Sequence, residues 1–165
     1  MKIKSIGIVL LVSGIVAGSA FAQEAVKVQR TIPFAEDNDI SDSIKNECKL
    51  GTQLADYIQK YAGAPVELVE GTLSTESGRV LEVSITDAVS MGNAWLGHQK
   101  FAKIKGSLYE GGKKVASFKA RRNSMGGAFA GFKGSCSVLD RTVQALGEDV
   151  SSWLKAPRDG ATLGD

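Results

Sequence analysis

The sequence predicts an α+β domain, an antiparallel sheet of about four to five strands with two helices packed on one face. Three observations point to it. Residues 44–62 and 136–153 carry apolar side chains at three- and four-residue steps, the period of a helix. Much of 79–122 alternates apolar and polar residues, the period of a strand, around a glycine turn. Two cysteines, Cys48 and Cys136, fall on the apolar stripes of the two helical segments.

The first 22 residues read as a secretory signal peptide. Lys2 and Lys4 precede an apolar run from Ile6 to Val16, and Ala20-Phe21-Ala22 offers the small-residue cleavage site, so the mature chain is expected to start at Gln23. The run is short for a membrane span, and no second one follows. A periplasmic or secreted protein is therefore expected, with one domain over 23–157 and a loose polar tail over 158–165. The whole chain has 20 Lys+Arg and 18 Asp+Glu, and removal of Lys2 and Lys4 leaves 18 of each. A balanced charge gives no reason to expect nucleic acid as a partner.

Each element has its own signal. Residues 25–32 form a possible first strand, followed by the acidic loop "AEDND". A single helix is expected from about Ser43, capped by Ser41 or Ser43, with Ile44, Cys48, Gly51, Leu54, Ala55, Ile58 and Ala62 on one stripe. Gly63 and Pro65 end it. Gly51 costs about 1 kcal/mol of helix propensity, and close packing against another element accounts for it. A short strand "VELVE" follows at 66–70. In the strand from Arg79, Leu81, Val83, Ile85 and Val89 face one way, Glu82, Ser84 and Thr86 the other, and Asp87 breaks the pattern.

Residues 101–109 and 114–122 form a hairpin around "EGGK". A three-residue loop, Gly111-Gly112-Lys113, pairs Leu108 with Ala116, Gly106 with Phe118 and Ile104 with Ala120, which keeps the apolar set on one face. The last helix carries Cys136, Leu139, Val143, Leu146, Val150 and Trp153 inward and stops before Pro157. Export places Cys48 and Cys136 in an oxidising compartment, where a disulfide between the two helices is expected. By chain entropy it is worth about 4 kcal/mol.

The run "GSLYEGGKKVASFKARRNSMGGAFAGFKGSCSVLDRTVQALGEDVSSWLKAP" resembles the carboxy-terminal half of a group of uncharacterised bacterial exported proteins with a glycine-rich loop before the last helix. The element order also resembles small envelope α/β domains such as the amino-terminal domain of TolB and the lipoprotein activators of penicillin-binding proteins. The group implies no particular activity, and a shared topology does not transfer one.

A non-catalytic binding or envelope-accessory module is expected, docking a partner through the first of two candidate sites, with the second as the alternative. "SMGNAWLG" (90–97) and "SMGGAFAG" (124–131) share one pattern. If the strands before them run the same way, Met91, Trp95, Met125, Phe129 and Phe132 gather at one edge of the sheet as a surface for an envelope protein or glycan. The same residues can instead fold inward over the end of the core. The second candidate is the polar face of the hairpin, where Lys103 lies opposite Arg121 and Lys105 opposite Lys119. Bare cations at such spacing repel. They are either a solvated face that discourages aggregation or the site of an anionic ligand or polysaccharide, with Glu82 a possible counter-charge.

No enzyme, cofactor or metal is expected. His98 is the one histidine, the cysteines do not form a CxxC pair, and Glu47, Glu67, Glu70, Glu82 and Asp87 show no spacing that pairs them.

Overall fold

The computed structural model describes residues 24–93, 97–124 and 134–165, with backbone alone at 91–93, 97–99 and 135. Its elements run β1 (Val26–Gln29), α1 (Asp42–Glu47), α2 (Leu50–Tyr61), β2 (Val66–Val69), β3 (Arg79–Asn93), β4 (Gly97–Glu110), β5 (Lys113–Asn123), α3 (Ser135–Trp153) and β6 (Ala161–Gly164). The six strands form one sheet in the order β2-β1-β3-β4-β5-β6. Its long centre, β3-β4-β5, is antiparallel. The flanking pairs β1-β2, β1-β3 and β5-β6 are parallel. The α+β class and the packing of helices on one face are as the sequence predicts, while the sheet is mixed because its short outer strands arrive through crossovers.

Two β-bulges set the register of the centre. One lies between Ile85 and Asp87 in β3, where Thr86 is left over. It reverses the phase of the strand, so that Ala88, not Val89, continues the buried line of Leu81, Val83 and Ile85. The other lies between the pairs Leu108↔Ala116 and Tyr109↔Lys114, with Val115 left over and exposed. The expected pairs Gly106↔Phe118 and Ile104↔Ala120 hold. They arise from a two-residue turn plus this bulge and not from a three-residue loop. Gly111 and Gly112 both take positive φ, 55° and 83°, as a type I′ turn requires.

The helices cover one face. Leu50, Leu54, Ala55 and Ile58 of α2 and Leu139, Val143, Leu146 and Val150 of α3 are buried against Val28, Leu81, Ile85, Ile104, Leu108 and Phe118. The segment expected as one helix is broken: Cys48 is extended between α1 and α2, and Ser41 precedes α1 without a side-chain capping bond. Cys48 and Cys136 are bonded, with 5.1 Å between their Cα atoms. The bond ties the α1–α2 junction to the first turn of α3.

Glycine sets two close approaches. The Gly51 carbonyl accepts the Ile32 amide hydrogen bond at 3.4 Å, and a Cβ at Gly51 would overlap the Ile32 carbonyl. A Cβ at Gly147 would come within 2.5 Å of the Tyr57 Cβ where α3 crosses α2. Ser151 completes that crossing by donating its buried hydroxyl toward the Ile58 and Gly147 carbonyls.

The tail does not hang free. Residues 161–164 form β6 beside β5, with Ala161 and Leu163 packed on the core. Trp153 Nε1 donates to the Arg158 carbonyl at 3.1 Å and holds the connection.

Gly51→Ala should destabilise the fold by about 1–3 kcal/mol, because Ile32 is backbone and cannot move aside. In an open helix the same change stabilises by about 1 kcal/mol. Urea unfolding decides the sign, and a midpoint equal to or above that of the parent chain contradicts the packing described here.

Candidate functional site

The face of the sheet away from the helices is polar, and strand alternation places its side chains in cross-strand rows. One row runs Asp87, Lys103, Arg121 and Gly164. The next runs Ser84, Lys105, Lys119 and Thr162. The third holds Glu82, Ser107 and Ser117. All four cations expected on this face lie together on it.

Their charges are balanced unevenly. Lys103 Nζ pairs with Asp87 Oδ2 at 2.9 Å. The bulge at Thr86 brings this acid onto the face, so Asp87 and not Glu82 is the counter-charge. Arg121 donates to Asn123 Oδ1 at 3.0 and 3.2 Å, and Lys103 and Arg121 both lie over the Phe101 ring, at 5.0 and 4.6 Å from its centre. Among the described residues, neither Lys105 nor Lys119 forms an ion pair. Both are exposed.

An open groove of about 630 Å³ crosses this face, lined by Glu82, Ser84, Lys105, Ser107, Ser117, Lys119 and Thr162 among others. A second of about 410 Å³ adjoins it at Lys105, Lys119 and Thr162 and continues to Lys103 and Arg121. At the lower end of the face, burial and then the charge and hydrogen bond of Glu82 push the Tyr109 phenol above its ordinary pKa. Ser117 donates to Asp159 at 2.5 Å, and this bond holds the carboxyl below its usual value.

Thr162, Ser107 and Ser117 were not singled out in the sequence as groove residues. Ser107 and Ser117 could have been found from the hairpin alternation. Thr162 could not, because nothing in the polar tail signals a strand.

The twin motifs leave the same end of the sheet. β3 and β5 both run antiparallel to β4, so their ends at Asn93 and Asn123 point the same way. "SMGNAWLG" enters the β3–β4 hairpin, with Met91 paired to Gln99 and Asn93 to Gly97 along the backbone. Trp95, Met125, Phe129 and Phe132 lie outside the described residues, as do residues 1–22, expected from the sequence as a signal peptide. Among the described residues, no three His, Cys, Asp or Glu side chains gather as a metal set, and no helix is long and apolar enough to cross a membrane.

No family model matches the sequence, and neither does any curated protein. Solved structures do match. Protein XCC0632 from Xanthomonas campestris, of the family model DUF330, aligns with a TM-score of 0.50 at 9% identity, covering 79% of this chain and 83% of its own. What this chain shares with it is the fold. The PelC dodecamer from Paraburkholderia phytofirmans gives a TM-score of 0.47 at 10% identity, over 76% and 85%. A neuraminyllactose-binding hemagglutinin homolog from Helicobacter pylori gives 0.40 at 10%, over 81% and 84%. The likeness of fold thus lies with the DUF330 protein, and it replaces the comparison with the TolB domain.

Beside the face, Asp165 anchors β6. It accepts from the Asn123 amide at 2.8 Å and from Arg122 Nη1 at 2.7 Å, while Asp149 takes Arg122 from the other side at 2.8 Å. The Asn123 amide, then Arg122, hold the Asp165 carboxyl below its ordinary value. A depressed carboxyl stabilises the docked strand at neutral pH, and that contribution is lost as the pH falls through the folded-state value. Asp159 acts with the same sign. Amide resonances of 161–164 should therefore move toward unpaired values below about pH 4, ahead of those of β3 and β4. Asp165→Asn should loosen β6 at neutral pH. Resonances unmoved down to about pH 2 would contradict this anchoring.

Proposed function

We propose that this is an exported, non-catalytic binding module that takes an anionic ligand on the helix-free face of its sheet. One observation carries this reading. Lys105 and Lys119 are directly opposite across β4 and β5, exposed, and paired with no carboxylate among the described residues. Like charges in that position destabilise a sheet. An anion between them removes the repulsion. The adjoining grooves give the ligand room, and their serine and threonine hydroxyls supply uncharged hydrogen-bonding groups. Export is supported by the leader pattern and agrees with the Cys48–Cys136 bond.

A second reading is favoured by the shared direction of β3 and β5. In it, an envelope protein or glycan docks on the two glycine-aromatic motifs through Met91, Trp95, Met125, Phe129 and Phe132.

Titration with inorganic phosphate, followed by amide NMR, separates the two. The first reading expects shifts centred on residues 105, 119 and 162 that weaken steeply with added salt and vanish in the Lys105→Glu/Lys119→Glu double variant. Absence of any phosphate-dependent shift on this face would sink it. Binding of an envelope component that resists salt and is lost in Trp95→Ala and Phe129→Ala would favour the second.

A further inference from the structure

We infer that the two adjoining grooves form one corridor for a linear acidic polysaccharide, which lies along the strands with its carboxylates on the cations of β4 and β5. This rests on the anion-binding reading above and names its ligand class.

Charge is arranged in columns along the face. The two inner columns, β4 and β5, carry Lys105, Lys119, Arg121 and Lys114, all exposed. Among the described residues, none of the four forms an ion pair. Arg121 keeps its charge beside Lys119, because its partners are the neutral Asn123 amide and the Phe101 ring. Lys114 extends the β5 column at its other end, where it lies opposite Tyr109 and lines the larger groove. The acids stand on the flanks. Asp87 and Glu82 are on β3, and Asp159 precedes β6 and accepts from Ser117. Lys114 helps to hold the Asp159 carboxyl below its ordinary value without forming an ion pair with it.

This pattern favours an elongated anion in one direction. From Arg121 to Lys114 the column runs roughly 20 Å. The grooves of about 630 and 410 Å³ share Lys105, Lys119 and Thr162, and between them they reach both ends of the column. One phosphate fills a small part of that space. An anionic chain laid across the strands meets Asp87 or Glu82, whereas a chain laid along them meets cations.

Two further features point to sugar. The hydroxyl row of Ser107 and Ser117 separates Lys105 and Lys119 from Lys114, so the column alternates cations with uncharged hydrogen-bonding groups. A polysaccharide of uronate units likewise carries hydroxyls between its carboxylates, and polyphosphate carries none. A single-stranded nucleic acid needs rings on which its bases stack. Among the described residues lining the grooves, the one aromatic ring is that of Phe118, which is buried.

Calorimetric titration at low salt with inorganic phosphate, galacturonate, its linear dimer, trimer and tetramer, maltotetraose and single-stranded oligothymidylate tests the inference. Affinity should rise with each added galacturonate unit, to at least about tenfold between monomer and tetramer, as the later contacts become intramolecular. Maltotetraose, a chain of the same number of units without charge, should not bind. Lys114→Gln should bind the tetramer severalfold more weakly and inorganic phosphate as before, because only an elongated ligand spans from Lys105 and Lys119 to that lysine. An affinity independent of chain length, or untouched by Lys114→Gln, would overturn the corridor and leave the anion site standing. Oligothymidylate or maltotetraose binding as tightly as the galacturonate tetramer would overturn the ligand class. Failure of phosphate and of every galacturonate to bind would overturn both this inference and the reading beneath it.

Discussion

The seating of both helices on one face depends on two places where a side chain would not fit. Gly51 brings α2 onto the backbone at Ile32, directly after β1, and Gly147 brings α3 onto α2 at Tyr57. The disulfide closes the same unit by fixing the α1–α2 junction to the start of α3. With its cysteines 88 positions apart in sequence, it removes about 4–5 kcal/mol of unfolded-chain entropy. The helices therefore cannot straddle the sheet, and the polar sides of β3, β4, β5 and β6 are left to solvent.

That division explains why the charged rows can exist. On the helix face, alternation places Ile104, Leu108, Ala116, Phe118 and Ala120 in the core, and Gly106 leaves space for the Phe118 ring, which meets Trp153 edge-on at 4.8 Å. On the other face the intervening positions are free to carry lysines. A bulge in β3 then decides their electrostatics. By moving Asp87 onto the face it satisfies Lys103, and it leaves the Lys105–Lys119 pair two residues away with no carboxylate partner among the described residues. The binding proposal depends on this local feature.

Much of this was legible in the sequence, and what was not has physical reasons. The α+β class, the hairpin pairs Gly106↔Phe118 and Ile104↔Ala120, the stripe of α3 and the Cys48–Cys136 bond follow from periodicity and from cysteine position. The bulges were hidden, since one unpaired residue changes the pairing without changing composition. Hence Val89 was expected where Ala88 is buried, and Glu82 where Asp87 is the counter-charge. The break at Cys48 was hidden because Ile44 and Leu50 both remain buried across it. β6 was hidden because a polar tail gains its order from Leu163 on the core and Asp165 on Arg122, contacts far away in sequence. The cations of the candidate site were legible by alternation, but the row structure that separates Lys105 and Lys119 from Lys103 and Arg121 needed the register.

The central claim is that two opposed lysines are kept without a partner at some cost in stability because they bind. The most direct measurement is the stability and the phosphate affinity of Lys105→Gln and Lys119→Gln, taken together at low salt. Each single change should raise stability by a few tenths of a kcal/mol, up to about 1, by relieving repulsion across the strands, and should weaken phosphate binding at the same time. Variants that are less stable than the parent chain and bind phosphate unchanged would contradict the account, since the lysines would then be part of what holds the sheet together.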